Sequence, residues 1–478
     1  MIDQQEKNQQ QFDQQSPSSS PSPPSESIDD ETIKGSVVIV NNDLDHVGEI
    51  INSSTGIITI NTETPSSQST NNSPLPSPNQ FPITLPPPPS FSSPSPQPTP
   101  PPITINCPPP LFDQSPLINN DDYEINKEDP LTLQLTDLKI RGSRLPGDNG
   151  SSPTIVPEWF NRELFDLGRS VGRNHFSSVL FGHLSGLTMV VHIPSILATL
   201  LATGKSRTLG DIFERYLGTL SHVITWYEGD IWNQNDPAHK SLMTVRRMHS
   251  NVASRMNPPR PGNHNNHQSS DNQYTPPTND RQIYLSQYDM ALTQFGFIGM
   301  IILHPKQVGF PDNSQDLIGL IHFWRCVGYL LGLDDRFNIL NESDLQGTRS
   351  LCARLLETEF KPAINRYPTN QASQMSAAIV QAIKAVIPLL STSGFTKYLY
   401  KMNTLDSPVP LDGTAARVGY QGIKVIMRNC LPKPLLTPAI NALLRKSIVR
   451  AQKKSDTIKS RLTNKDDLIL EETCFTDV

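Results

Sequence analysis

From residue 155 onward, apolar positions recur at the three-to-four-residue spacing of α-helices, and the alternation typical of β-strands is sparse. We therefore predict an all-α fold, with a single helical domain over residues 151–455 and a C-terminal tail over 456–478. A polar insert rich in proline and asparagine, 257–280, interrupts the domain as a predicted flexible loop. The predicted helices are 159–171, 176–204 (divided near Pro194), 208–227, 240–256, 281–303, 314–333, 342–360, 372–390 and 431–453.

The first 150 residues have a different composition from the rest of the chain. They contain 25 of the 44 prolines, tracts of Ser, Asn and Gln, and 19 acidic against 6 basic residues. Such a segment has too few large apolar side chains to offset the entropy cost of ordering, so we predict a long disordered region. The remaining residues carry 27 acidic and 34 basic side chains without a basic cluster interleaved with aromatics. This pattern disfavours nucleic-acid binding.

The cysteines and the N-terminal residues indicate in which cellular compartment the protein is expected. Five scattered cysteines form no CxxC motif, and the first residues lack the basic and apolar regions of a signal peptide. Both features favour a cytoplasmic protein with reduced thiols. Between Arg173 and Lys205 no side chain is charged, which is long enough to span a bilayer. Three histidines and Pro194 favour a buried helix pair instead, and peripheral attachment to an internal membrane through this segment is a third reading.

One predicted helix carries a polar line on a single face. Arg215, Thr219, His222 and Trp226 follow the spacing i, i+4, i+7 and i+11. Arg215 is suited to pair with an anionic group or to polarise bound oxygen, and Thr219 to hydrogen-bond a ligand. The alternative for Arg215 is an ion pair with an acidic side chain elsewhere in the protein.

The next predicted helix places His249 in the middle of an apolar stripe, which includes Leu242, Val245 and Val252. A single histidine in such a position is more often a satisfied core residue than a ligand. A neutral imidazole on a helix in an apolar pocket is, however, what axial ligation of haem iron requires. Arg246 lies one turn before it, on nearly the same face.

Arg325 is the only charged residue between Leu317 and Leu333, in an otherwise apolar helix. A buried arginine needs an anionic partner, either a protein carboxylate or a cofactor carboxylate. Gln287 and Gln294 share a helix face and are expected to be buried hydrogen-bonding groups. His264 and His267 in the polar insert form a weak metal chelate at best. The chain has no phosphate loop, HExxH motif, zinc-type cysteine spacing or nucleophile elbow.

Four short segments stand out in the chain. They are Arg215-Tyr-Leu-Gly-Thr219, Val245-Arg-Arg-Met-His249, Tyr288-Asp-Met290 and Phe323-Trp-Arg-Cys-Val-Gly-Tyr-Leu-Leu-Gly332. Taken together, they resemble the catalytic domain shared by rubber oxygenases and ER-bound oxygenases of the mycophenolic-acid pathway, over roughly residues 155–400. This resemblance implies a globin-related helical core that holds one haem b. It further implies oxidative cleavage of a carbon–carbon double bond in a polyisoprenoid-like substrate by molecular oxygen.

The resemblance implies a role for each site residue. His249 matches the proximal haem ligand, Arg215 and Thr219 match distal polar residues, and Arg246 matches an arginine beside the ligand. We expect Arg246 and Arg325 to balance the haem propionates.

The chain also departs from the rubber-cleaving branch in two places. Gly218 stands where that branch has a lysine ligand, and no glutamate precedes Arg215 at the expected distance, Thr199 lying near that position. A glycine at this position would leave the distal side of the haem open. An open distal side is compatible with the binding of oxygen or of a bulky substrate, and equally with a site that has lost its catalytic activity.

Two functional hypotheses follow. The first is a haem b-dependent oxygenase that cleaves a double bond of an apolar, isoprenoid or lipid-like substrate, with the apolar segment 176–201 as a wall of the pocket. The second is a catalytically inactive helical protein of the same fold, either a haem-binding sensor or an interaction module. The two departures favour the second hypothesis, and the joint presence of His249, Arg215 and Thr219 favours the first.

Overall fold

Fifteen α-helices account for most of the chain that this computed structural model describes, which is residues 129–257, 283–311, 313–366, 368–406, 409–411 and 413–464. Within these residues the prediction of an all-α fold is confirmed. The one β feature there is an isolated bridge between Pro146 and Ser286. The helices are α1 Pro130–Ile140, α2 Arg162–Asn174, α3 Phe176–Val190, α4 Pro194–Ala202, α5 Leu209–Glu228, α6 Pro237–Met256, α7 Gln287–Leu303, α8 Ser314–Leu330, α9 Leu345–Leu355, α10 Lys361–Asn365, α11 Asn370–Ile383, α12 Thr392–Met402, α13 Gly413–Val425, α14 Thr437–Lys453 and α15 Ser455–Thr463.

Side-chain caps fix where the central helices begin. At the start of α5 the Thr208 hydroxyl and the Asp211 carboxylate cap each other's backbone amides, and Ser286 and Asp289 do the same at the start of α7. Because Ser286 is the cap, α7 begins at Gln287, six residues later than periodicity predicts. Residues 258–282, which contain His264, His267 and most of the polar insert, lie outside the described part.

The described structure also contains helices that are absent from the prediction. Helix α1 lies before the boundary predicted at residue 151, and Asp129 caps it. Helices α12 and α13 are short and contain glycine, which lowers intrinsic helix propensity, although their apolar residues do follow a helical spacing. Helix α15 occupies the start of the predicted tail because Lys459 pairs with Glu214 of α5 at 2.7 Å. Residues 1–128 and 465–478 lie outside the described part of the chain.

Small residues allow the closest helix crossings. Gly168 of α2 meets Gly319 of α8, and Gly186 of α3 meets Gly296 of α7, so closely that a Cβ on Gly168 or Gly186 would overlap the opposite carbonyl. These two crossings build a core lined by aromatic rings. The rings of Tyr227 and Phe323, for example, stack at a centroid distance of 4.6 Å.

The uncharged stretch forms two helices, as the sequence predicts, and Pro194 begins the second. Among the described helices, none is long and apolar enough by itself to cross a membrane. Helices α3 and α4 reach that length and composition only as a pair, with a 95° bend between them. Most of the α3 side chains are buried in the protein core.

Candidate functional site

The predicted site residues lie on α5 and α6, which the loop 229–236 joins into a helical hairpin. The two helices are held together at Ser241, whose hydroxyl is 2.7 Å from Nδ1 of His222 and accepts a hydrogen bond from Trp226 Nε1 at 3.1 Å. From the His222–Ser241 contact, Arg215 lies seven residues back and His249 eight residues forward. At 1.5 Å per residue these are displacements of roughly 10 and 12 Å along antiparallel helices. Arg215 and His249 therefore lie at similar distances from the His222–Ser241 contact, each along its own helix.

His249 lies in a crowded environment and yet keeps some accessible surface. Its Nδ1 is buried and has no hydrogen-bond partner in the described structure, as is also the case for Nδ1 of His175 and His192. Burial lowers the pKa of His249 to about 4, against a smaller opposing effect of Asp148. The ring is therefore neutral near pH 7 and able to ligate a metal ion.

Gly218 of α5 also opens onto free space. No atom lies within 4 Å of the place where its Cβ would stand, as is also the case for Gly422 of α13. Gly218 occupies the position of the lysine expected from the resemblance. The described structure would accommodate a side chain or a ligand there, and an unpartnered imidazole on the next helix is a group that can ligate haem iron.

Arg215 joins the hairpin to the end of α4 instead of an acidic side chain. Its Nε donates to the carbonyl of Lys205 at 3.2 Å and its Nη2 to the carbonyl of Leu200 at 3.2 Å, and Nη2 also contacts the Thr203 hydroxyl. A cation at the C-terminal end of a helix is favourable because the carbonyl dipoles point toward it. Burial lowers the pKa of Arg215, although it remains charged. Its Nη1 has no hydrogen-bond partner among the described residues and stays available to a ligand.

Thr219 lies one turn after Arg215 and donates its hydroxyl proton to the Arg215 carbonyl at 3.1 Å. Back-bonding of this kind is common for threonine within helices. The lone pairs of the hydroxyl oxygen remain free to accept a hydrogen bond. The predicted roles of Arg215 and Thr219 toward a distal ligand stay predictions.

Arg246 is held by a carboxylate that sequence reasoning missed. Asp148 accepts hydrogen bonds from Nε of Arg246 at 2.9 Å and from Nη2 at 2.5 Å, and the Ser250 hydroxyl donates to it at 3.0 Å. The carbonyls of Leu330 and Ser151 accept further hydrogen bonds from the same guanidinium. The predicted role of Arg246 toward a haem propionate stays a prediction, and its observed partners are protein groups.

The pKa of Asp148 reflects this environment. Burial raises it, but the hydrogen bond from Arg246 and the backbone amide of Gly150 outweigh burial and bring it below its ordinary value. Asp148 belongs to a strap, residues 145–151, that crosses the start of α7 and the end of α8. The Gly147 amide donates to the Leu285 carbonyl at 2.8 Å and the Asn149 amide to the Gly332 carbonyl at 2.9 Å. Composition assigned most of this strap to the disordered region, so the sequence offered no signal for Asp148.

Arg325 has two protein carboxylates as partners. Nη1 donates to Glu342 at 3.1 Å, Nη2 donates to Asp335 at 3.2 Å, and the guanidinium lies 3.9 Å from the centre of the Trp159 ring. Of the two alternatives for its anionic partner, the structure contains the protein carboxylates. Its predicted role toward a propionate stays a prediction.

The other polar groups singled out in the sequence have structural partners. Gln287 donates to the Pro146 and Gly332 carbonyls, and Gln294 donates to the Trp324 carbonyl, as expected for buried amides. His183 contacts the Phe297 carbonyl at 2.5 Å through Nδ1. The described residues contain no group of three or more His, Cys, Asp or Glu that could hold a metal ion. Haem iron needs only one protein ligand, so this does not bear on a haem site.

Comparisons with known proteins assign the chain to a family. The model of the family described as ER-bound oxygenase mpaB/B'/Rubber oxygenase, catalytic domain, matches residues 171–437, more than half of the chain. Among solved structures the chain is similar to latex clearing protein in the closed state, with 16% identity and a TM-score of 0.41, covering 67% of this chain and 88% of that one. No curated protein matches the chain.

Proposed function

The chain belongs to the family of ER-bound oxygenases and rubber oxygenases, and from this premise we propose that it is a haem b-dependent oxygenase. The observation that carries the proposal is His249, whose neutral imidazole has an unpartnered buried Nδ1 and lies on the helix that follows the one with the open position at Gly218. Haem ligation would use both features.

In this proposal each residue has a defined task. Haem, when bound, supplies the iron centre for oxygen chemistry, and one imidazole nitrogen of His249 holds it. Arg246, fixed by Asp148, keeps α6 in register against the strap. Arg215, whose Nη1 has no hydrogen-bond partner in the described part of the chain, would supply a fixed positive charge, which would stabilise negative charge that develops during oxygen chemistry. Thr219 accepts or relays a hydrogen bond beside it.

We further propose an apolar substrate, isoprenoid or lipid-like, of which one double bond is cleaved by molecular oxygen. The bent pair of apolar helices α3 and α4 supports this class, since α4 contacts both α6 and, through the carbonyl of Leu200, Arg215. Helix α4 keeps partly accessible apolar side chains such as Leu200. They would line a substrate path and exclude water from the reacting bond.

A second candidate is a catalytically inactive haem-binding protein of the same fold. It is favoured by Gly218, which removes the lysine of the rubber-cleaving branch, and by the internal hydrogen bonds of Arg215 and Thr219. Labelled oxygen separates the two candidates. With ¹⁸O₂ and a polyisoprenoid, the oxygenase yields carbonyl products that carry the label and depend on Arg215, whereas the inactive protein binds haem and yields none.

The haem itself is tested by the absorption spectrum of the full chain produced with haem supplied. We expect a Soret band with about one haem per chain in the wild type, lost in His249→Ala. His239→Ala is the matched control, because His239 lies on the same helix but its Nδ1 contacts the Ile231 carbonyl at 2.7 Å. Retention of a wild-type band by a folded His249→Ala protein would refute the proposal.

We propose that the protein is cytoplasmic. The alternative to be tested is peripheral contact with an internal membrane through the apolar segment 176–201. Fractionation followed by carbonate extraction separates these. A peripheral protein leaves the membrane pellet at high pH, and a freely cytoplasmic one is never found in it.

A further inference from the structure

A cleft lies among the ends of α11, α14 and α15, apart from the helical hairpin described above. It has a volume of about 410 Å³, within the range of roughly 300–1,000 Å³ typical of small-molecule sites. Its lining from Ser447 onward falls beyond residue 437, where the family match ends. The other three lining residues, Lys384, Ala385 and Pro388, lie within the matched range, so the cleft is formed at the end of the family domain.

Four cations line this cleft and no carboxylate does. They are Lys384, Arg450, Lys454 and Arg461. Asp456, the acidic residue in the first turn of α15, is not part of the lining. Some basic side chains of the described surface have a carboxylate partner, as Arg445 has Glu228 at 2.9 Å, and others, such as Arg417 and Lys433, have none. The cleft differs in that four unpaired cations line one cavity.

The four cations are not used by the protein itself. None of them takes part in an ion pair or a side-chain hydrogen bond within the described residues. Lys459, on the opposite side of α15, pairs with Glu214 and Asp211 of α5. On α15, therefore, Lys459 forms ion pairs with α5, whereas Arg461 lines the cleft and has no such partner in the described structure. Like charges gathered without a counter-charge repel each other, and a bound anion would remove that cost.

The rest of the lining fits a phosphorylated ligand. Thr457 contributes a hydroxyl group, which can donate to a phosphate oxygen alongside the cations, whereas the Ser447 hydroxyl donates to the Val386 carbonyl. Pro388 and Ala451 contribute apolar surface. The neighbour of Pro388, Leu389, is 91% exposed at the rim.

We propose that this cleft binds a small organic ligand that carries two or more phosphate groups. Four cations exceed the charge of a single phosphate, and the volume exceeds its size. The chemistry is shared by phosphoinositide headgroups and by soluble inositol phosphates. An exposed leucine beside a basic cleft is also the arrangement that inserts into lipid while the headgroup is held.

The test measures binding of two probes to the full chain. One is soluble inositol trisphosphate, followed by calorimetry, and the other is phosphatidylcholine vesicles with or without phosphatidylinositol bisphosphate, followed by co-sedimentation. We expect Arg450→Gln combined with Lys454→Gln to weaken binding at least about tenfold, because two charged phosphate donors are lost. The matched control combines Lys446→Gln with Lys453→Gln, which are exposed residues of the same helix outside the cleft.

Leu389→Ser identifies the source of the phosphate groups. If the ligand is a lipid headgroup, this variant weakens vesicle binding and leaves inositol trisphosphate binding unchanged. If the ligand is soluble, Leu389→Ser changes neither. The proposal is overturned if neither probe binds the wild type, or if the two double variants lose affinity equally.

Discussion

Replacement of Asp148 by asparagine tests whether the strap holds helix α6. The substitution keeps the shape of the side chain but removes the charge that pairs with Arg246. Asp148 is 27% exposed and Arg246 10% exposed, so the guanidinium would remain in a poorly solvated place without its counter-charge. Loss of one partner of a buried ion pair costs roughly 3–5 kcal/mol. Two carbonyls still accept from Arg246, so we expect the lower figure of about 2–3 kcal/mol.

The assay is urea unfolding followed by circular dichroism, with the free energy of unfolding taken from the midpoint at constant slope. The control is Asp230→Asn, which removes the same charge from an exposed pair with Arg162 at 2.9 Å. Because Arg162 is 44% exposed, that loss should be below about 1 kcal/mol. If both substitutions lower the free energy of unfolding by the same small amount, Asp148 does not anchor α6 and the reasoning fails.

Three further predictions concern stability. Burial lowers the pKa of His183, His192 and His249 to about 4, whereas an unfolded imidazole titrates near 6.5. The contribution of these histidines to stability is therefore complete above pH 6.5 and is lost as the pH falls toward 4, by at most roughly 3 kcal/mol for each. The urea midpoint should fall over this pH range, and a constant midpoint would contradict the prediction. Gly218→Ala should raise the stability of the protein by about 0.5–1 kcal/mol, because alanine favours the helix and the space at this position is open. Gly186→Ala should lower the stability by more than about 2 kcal/mol, because its Cβ would overlap the Gly296 carbonyl. Equal thermal midpoints for the two variants would refute the packing argument. Thr208→Ala should cost about 1 kcal/mol through loss of the α5 cap, measured by thermal unfolding, and no change in midpoint would show that the cap is dispensable.

Periodicity was sufficient to predict the helices that build the core and the hairpin. The polar line from Arg215 to Trp226 and the apolar stripe around His249 each follow from spacing along one helix, and the structure contains both helices within a few residues of the prediction. The capping box at Thr208 explains why the predicted start of α5 agrees with the observed start to within one residue. The prediction did not include the short helices α12 and α13, whose glycines and small number of turns make local helix propensity weak even though their apolar residues follow a helical spacing.

The partners of the candidate site residues could not be predicted in the same way. Arg246 meets Asp148 across 98 residues of sequence, from a region whose composition indicated disorder. Arg325 meets Glu342 after a loop whose path depends on the whole fold. Arg215 uses main-chain carbonyls, which every residue carries and which no sequence motif marks. A sequence shows that a buried charge needs a partner, and only the fold shows which partner it has.

The central claim is that His249 holds haem, and replacement of its side chain by a small molecule tests this most directly. The full-length His249→Gly chain, loaded with haem, is titrated with imidazole while its absorption spectrum is recorded. We expect a spectrum unlike that of the wild type at first, which imidazole restores as it fills the place of the missing ring. A wild-type spectrum before imidazole is added, with no response to the titration, would show that the haem is held elsewhere and that His249 is not its ligand.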